Sequence, residues 1–182
     1  MSLSWPGQAA QPQNCAVLEG ASEPASQTLR TVKLRSLGVE VDIPQNYRAM
    51  LRQNGAVTLL HPADFARIQC IVQGGQGGGG LYSETIARVP RDSTKTLEEQ
   101  AIASVGYQFN AAGKKIPLGQ AIEHNHPNGL SGYLTFTPVG YSAAFLGAWP
   151  REVKLLQVSA SCDCEVDLSA VKDLLSRIRP LP

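Results

Sequence analysis

Residues 119–138 read GQAIEHNHPNGLSGYLTFTP. Two runs with strand-like alternation flank Pro127-Asn128-Gly129, and turn-forming residues placed between such runs predict an antiparallel hairpin. Parallel neighbours would need a crossover of about a dozen residues, which this segment does not contain. The residues that follow keep the same character: GYSAAFLGAWP at 140–150 and VKLLQVSAS at 153–161 each read as a strand.

Upstream, TLRTVKL (28–34) alternates, and LGVEVDIP (37–44) places Val39, Val41 and Ile43 on one face until Pro44 ends the run. YRAML (47–51) and AVTLLHP (56–62) are joined through Asn54-Gly55, a strong hairpin signal. DFARIQCIV (64–72) reads as a further strand with Ala66, Ile68, Cys70 and Val72 on its apolar face. LYSETIARVP (81–90) alternates through Tyr82, Glu84 and Ile86.

Two helices interrupt the strands. Thr96-Leu97-Glu98-Glu99 is a capping box, in which the threonine hydroxyl and the glutamate carboxylate each satisfy a backbone amide of the other. Leu97, Ala101, Ile102, Val105 and Phe109 form the inward stripe, and residues 110–113 end the helix. Asp167 caps a second helix carrying Leu168, Val171, Leu174, Leu175 and Ile178 on one side. The order strands, helix, strands, helix gives an α+β class: an antiparallel β-sheet covered by helices.

The chain of 182 residues is long enough to bury a core, and 43% hydrophobic against 17% charged residues suits a globular protein. A net charge of +1 supplies no field for nucleic acid or an anionic membrane, and no apolar run of bilayer length occurs. Residues 1–29 read as a flexible leader and 30–182 as one domain. A secretory signal is expected to lie outside this sequence.

Cys15, Cys70, Cys162 and Cys164 form an even set. Asp163, Glu165 and Asp167 crowd the last pair with negative charge, which opposes a reactive thiolate, so the cysteines read as structural. Three full pairings are possible, and one bond from Cys15 to the Cys162/Cys164 pair is favoured, tethering the leader. A metal set would draw on Glu123, His124, His126, Cys162 and Cys164, but the single-residue cysteine spacing is not that of a structural zinc site. Gly75, Gly77 and Gly80 match G-x-G-x-x-G without a helix to follow, and Ser142 lacks one glycine of a nucleophile elbow. No cofactor is expected. Phe145 and Trp149 are interaction candidates wherever they reach the surface.

GVEVDIPQNYR (38–48), the capped mid-chain helix, NGLSGYLTFTP (128–138) and DLSAVKDLLSRIRPL (167–181) together resemble the PsbP-like fold. That fold is shared by the extrinsic photosystem II protein PsbP and Mog-type Ran-binding proteins, and the likeness spans about residues 35–181. It implies an α/β/α sandwich and a non-enzymatic accessory or binding role on a larger photosynthetic or envelope complex. It also implies a protein partner and an extracytoplasmic location, periplasm or thylakoid lumen. PsbP is associated with calcium and chloride retention, and no residue here is carried over to that role. Cys162-Asp163-Cys164 and the glycine-rich link depart from the pattern. The alternative from a different class is an extracytoplasmic hydrolase or metal-dependent enzyme built on His124 and His126.

Overall fold

The structure is a computed structural model, and it describes residues 14–15, 24–77, 81–136, 141–162 and 165–181. In chain order its elements are β1 (Leu29–Leu34), β2 (Val39–Pro44), β3 (Arg48–Leu51), β4 (Val57–Leu60), α1 (Pro62–Val72) and β5 (Ser83–Pro90). There follow α2 (Leu97–Val105), β6 (Tyr107–Phe109), β7 (Lys115–Pro117), β8 (Gln120–Asn125) and β9 (Ser131–Phe136). The chain ends with β10 (Ser142–Ala148), β11 (Lys154–Ser161), α3 (Leu168–Ser176) and β12 (Ile178–Pro180).

Seven strands form one sheet in the order β3-β4-β5-β11-β10-β9-β8, and β1-β2-β12 form a second, with β6-β7 a separate pair. All strand pairings are antiparallel. The protein is therefore α+β, with three helices among the described residues. The hairpin expected from the 119–138 stretch forms as β8-β9, with Gln120 opposite Phe136 and Asn125 opposite Ser131. Asn128 organises its turn: Oδ1 accepts from Leu130 N at 3.1 Å, O accepts from Trp149 Nε1 at 3.2 Å, and Nδ2 donates to Ile178 O at 3.0 Å.

Strand alternation sorts the core into two sets. Phe145, Leu156, Val158, Ile86 and Val57 of the large sheet pack with Val39, Val41 and Ile43 of β2 and with Val171, Leu174 and Leu175 of α3. Leu146 and Leu155, one residue out of phase with Phe145 and Leu156, pack instead with Ala101 of α2. Beyond α2 this second face carries small polar residues. Thr58 meets Thr85 at 3.3 Å and Ser83 meets Ser161 at 3.1 Å between hydroxyl oxygens.

Residues 62–72 depart from the strand expectation and form α1. Pro62 at the first helical position needs no amide partner, His61 Nδ1 accepts from Ala63 N at 3.2 Å, and Asp64 sits in the positive first turn. Short alternating apolar runs do not distinguish strand from helix, and here these start signals govern. Helix α2 has the capping box as expected, yet it stops at Val105 with Gly106 as its cap. Phe109 consequently falls on β6 and is 72% exposed, not part of the inward stripe.

The disulfide corrects the cysteine pairing: Cys15 is bonded to Cys70, across 55 residues of sequence, and not to the Cys162/Cys164 pair. Cys162 is also disulfide-bonded, and Cys164 lies outside the described residues. The helical form of α1 accounts for this partner, because its last turn carries Cys70 to the place where Asn14 bridges Gln76 and Cys15 N donates to Gln76 O at 2.8 Å. Gly75 makes this possible, since a Cβ there would collide with both sulfurs. The tether expected of Cys15 is thus present with a different partner, while most of the expected leader lies outside the described residues.

Candidate functional site

Glu84 on β5 shares its face with Ile86 and is 5% exposed, an unusual place for a carboxylate. Antiparallel pairing sets it between Leu59 of β4 and Ala160 of β11. Its Oε1 accepts from Arg177 Nη2 at 2.9 Å and from Tyr82 Oη at 3.2 Å. Arg177 stands just beyond α3, where its Nη1 also reaches Asp42 O at 3.3 Å and its own O accepts from Asp42 N at 3.0 Å. One arginine therefore joins the large sheet, the small sheet and the end of α3.

Burial pushes the Glu84 carboxyl above the usual range, and it outweighs the opposing pull of Arg177 and the Tyr82 hydroxyl. Burial, with the Glu84 charge second, raises the Tyr82 and Tyr47 hydroxyls in turn. Tyr47 also meets His61 edge-on, ring centroids 5.6 Å apart. Tyr82 has one end at Glu84 and lines an open cleft of about 450 Å³ with Glu165, Val166, Asp167 and Ala170. Nearby, Asp42 is drawn down to about 2, first by the hydrogen bond from Arg179 and then by that from Thr31.

The residues singled out from sequence are dispersed. His126 accepts from Asn128 N at 3.3 Å through Nδ1, inside the hairpin turn. The rings of His124 and Phe145 meet nearly at right angles, centroids 6.1 Å apart, and the His124 ring lies 6.3 Å from that of His126. Among the described residues, no three His, Cys, Asp or Glu side chains gather as a metal would require. Ser142 opens β10 opposite Ser161, so no helix follows it to make a nucleophile elbow. Phe145 is fully buried and Trp149 is 8% exposed with its indole N–H satisfied, so both serve the core rather than the surface. Arg88 lies over the Trp149 ring, 5.7 Å from its centroid, and donates to both oxygens of Glu152. Gly75 serves the disulfide, and Gly80 of the glycine run lies outside the described residues.

The buried polar group was missed by sequence reasoning, although one signal was present. Tyr82, Glu84 and Ile86 share parity, so a core Ile86 takes Glu84 inward with it.

His124 gives a pH prediction. Its Nε2 is buried without a hydrogen-bond partner, and burial, then the charges of His126 and Lys172, lower its pKa. The unfolded chain then takes up this proton more readily than the folded one, so stability is complete above the ordinary histidine range and falls as pH drops through it. His124→Gln should remove that part of the acid loss. Chemical denaturation of both proteins from about one pH unit above the free histidine value to about one and a half below it, as a difference, measures it, and parallel profiles would refute it.

No protein-family model matches the chain, and no curated protein matches it. Among the described residues, no helix is long and apolar enough to cross a membrane.

Proposed function

We propose that the chain is a non-catalytic accessory protein of an oxidising, extracytoplasmic compartment, binding a larger assembly through its surface. The supporting observation is how its chemically capable side chains are used. His61 caps a helix, His126 closes a turn, His124 packs on Phe145, and Cys15 and Cys70 are bonded to each other. Disulfides persist where thiols are not held reduced, which favours export over the cytosol.

The PsbP-like α/β/α sandwich is the arrangement proposed for the whole. It is supported by α2 packing on one face of the large sheet and α3 with β2 packing on the other. A role in the assembly or stability of a photosynthetic or envelope complex follows from that likeness. Native electrophoresis of membranes and soluble fractions from the source cell tests it. The chain should run in a complex well above its own 19.5 kDa. Migration of the whole pool as free chain would overturn the binding role. Alkylation without reductant should leave Cys15 and Cys70 unlabelled, and labelling of both would overturn the compartment.

A further inference from the structure

Both hydrogen bonds to Glu84 fall on one oxygen. Oε1 accepts from Arg177 and Tyr82, whereas Oε2 is sealed from solvent with no hydrogen-bond partner. An ionised carboxylate offers acceptor sites on both oxygens, and burying one of them bare is costly. A proton placed on Oε2 removes that charge while Oε1 continues to accept from both donors. The neutral form leaves the Oε2 hydroxyl a buried donor without an acceptor, but it removes the larger cost of a buried charge, and both forms keep the two hydrogen bonds on Oε1.

We propose that Glu84 is a proton-operated latch between the large sheet and the end of α3. Ionised, it holds Arg177 by charge. Protonated on Oε2, it retains its place while its hold on Arg177 falls to a neutral hydrogen bond. The groups facing it are Arg177 and Asp173 from the α3 segment, Tyr82 ahead of β5, and Tyr47 between β2 and β3. Asp64 of α1 acts on Tyr47, and Arg177 is the cation hydrogen-bonded to Glu84. Tyr82 carries the state outward, since the residue whose hydroxyl donates to Glu84 also lines the Glu165–Asp167 cleft.

The sign follows from linkage. Burial raises the folded-state pKa, so the folded chain binds more protons than the unfolded one from the ordinary carboxylate range up to the raised value. Stability falls as pH rises through that window, with the folding constant dropping by up to about tenfold per pH unit. This slope is opposite to that of His124.

The test uses the full chain. The side-chain carboxyl carbon of Glu84, followed by NMR against pH, should titrate above the range of free glutamate, and the Arg177 Nη2 protons, which face Glu84, should be less protected from exchange below that midpoint than above it, each rate being divided by that of free arginine at the same pH. Glu84→Gln should abolish the stability slope, read as the difference from wild type. Titration of Glu84 in the ordinary range, unchanged protection of the Arg177 Nη2 protons or a slope retained by Glu84→Gln would each overturn the latch. Should Glu84→Gln not fold, the two wild-type NMR readings decide.

Discussion

Cys70→Ser is expected to lower the stability of the folded chain by about 4 kcal/mol, the chain-entropy value for releasing a loop of this length. The figure follows from the sequence separation of 55 residues between Cys15 and Cys70. Without the bond, the denatured chain regains the freedom that closure denied it, and Cys15, buried at 0% exposure, loses its anchor beside Gly75. Urea denaturation of the wild type, Cys70→Ser and Cys15→Ser/Cys70→Ser, all without reductant so that the Cys162 bond stays closed, measures the effect. The double variant should match either single one, because both thiols report a single bond. A loss below about 1 kcal/mol would show that the tether closes a loop the denatured chain already keeps compact.

Phe145→Ala should cost about 3–5 kcal/mol, the range for deleting a fully buried aromatic side chain. Phe145 lies between Leu134 of β9 and Val158 of β11, in the middle of the large sheet and in the larger core. Its ring fills the space left by Gly147, where a Cβ would collide with it. The same substitution has a second readout. His124 loses the aromatic ring packed against it, water reaches its own ring, and its pKa should rise toward the free value. Thermal denaturation gives the first effect and a histidine NMR titration the second. An unchanged His124 midpoint would assign its depression to the charges of His126 and Lys172 instead.

Legibility from sequence followed the range of the interaction. Features set by neighbours in the chain were readable: the capping box at Thr96, the hairpin turn at Asn128-Gly129 and the Asp167 cap all depend on contacts within about four residues. Residues 64–72 failed because alternation and helical spacing coincide over so short an apolar run, and the decisive Pro62 and His61 stood just outside it. The disulfide partner depended on that element and failed with it. Phe109 was drawn into the helix by its spacing, whereas Gly106 ended the helix first.

The site was less legible than the fold. A glutamate in an alternating strand ordinarily marks the solvent face, and nothing local announces an arginine 93 residues away that receives it. Conversely, His124 and His126 attracted a chemical reading because two imidazoles stand two residues apart. Their surroundings, an aromatic ring for one and a turn amide for the other, are tertiary and invisible in the string.

The two outer strands of the large sheet have a consequence for the protein at high concentration. A bare strand edge invites another chain to extend the sheet, the route by which many β-rich proteins precipitate. Here one border, β3, is only four residues long and starts with Arg48, while the other, β8, reads Gln-Ala-Ile-Glu-His-Asn and is predominantly polar. Brevity at one margin and hydrophilicity at the other make poor templates for stacking, so the sheet can end in open water without growing into fibrils.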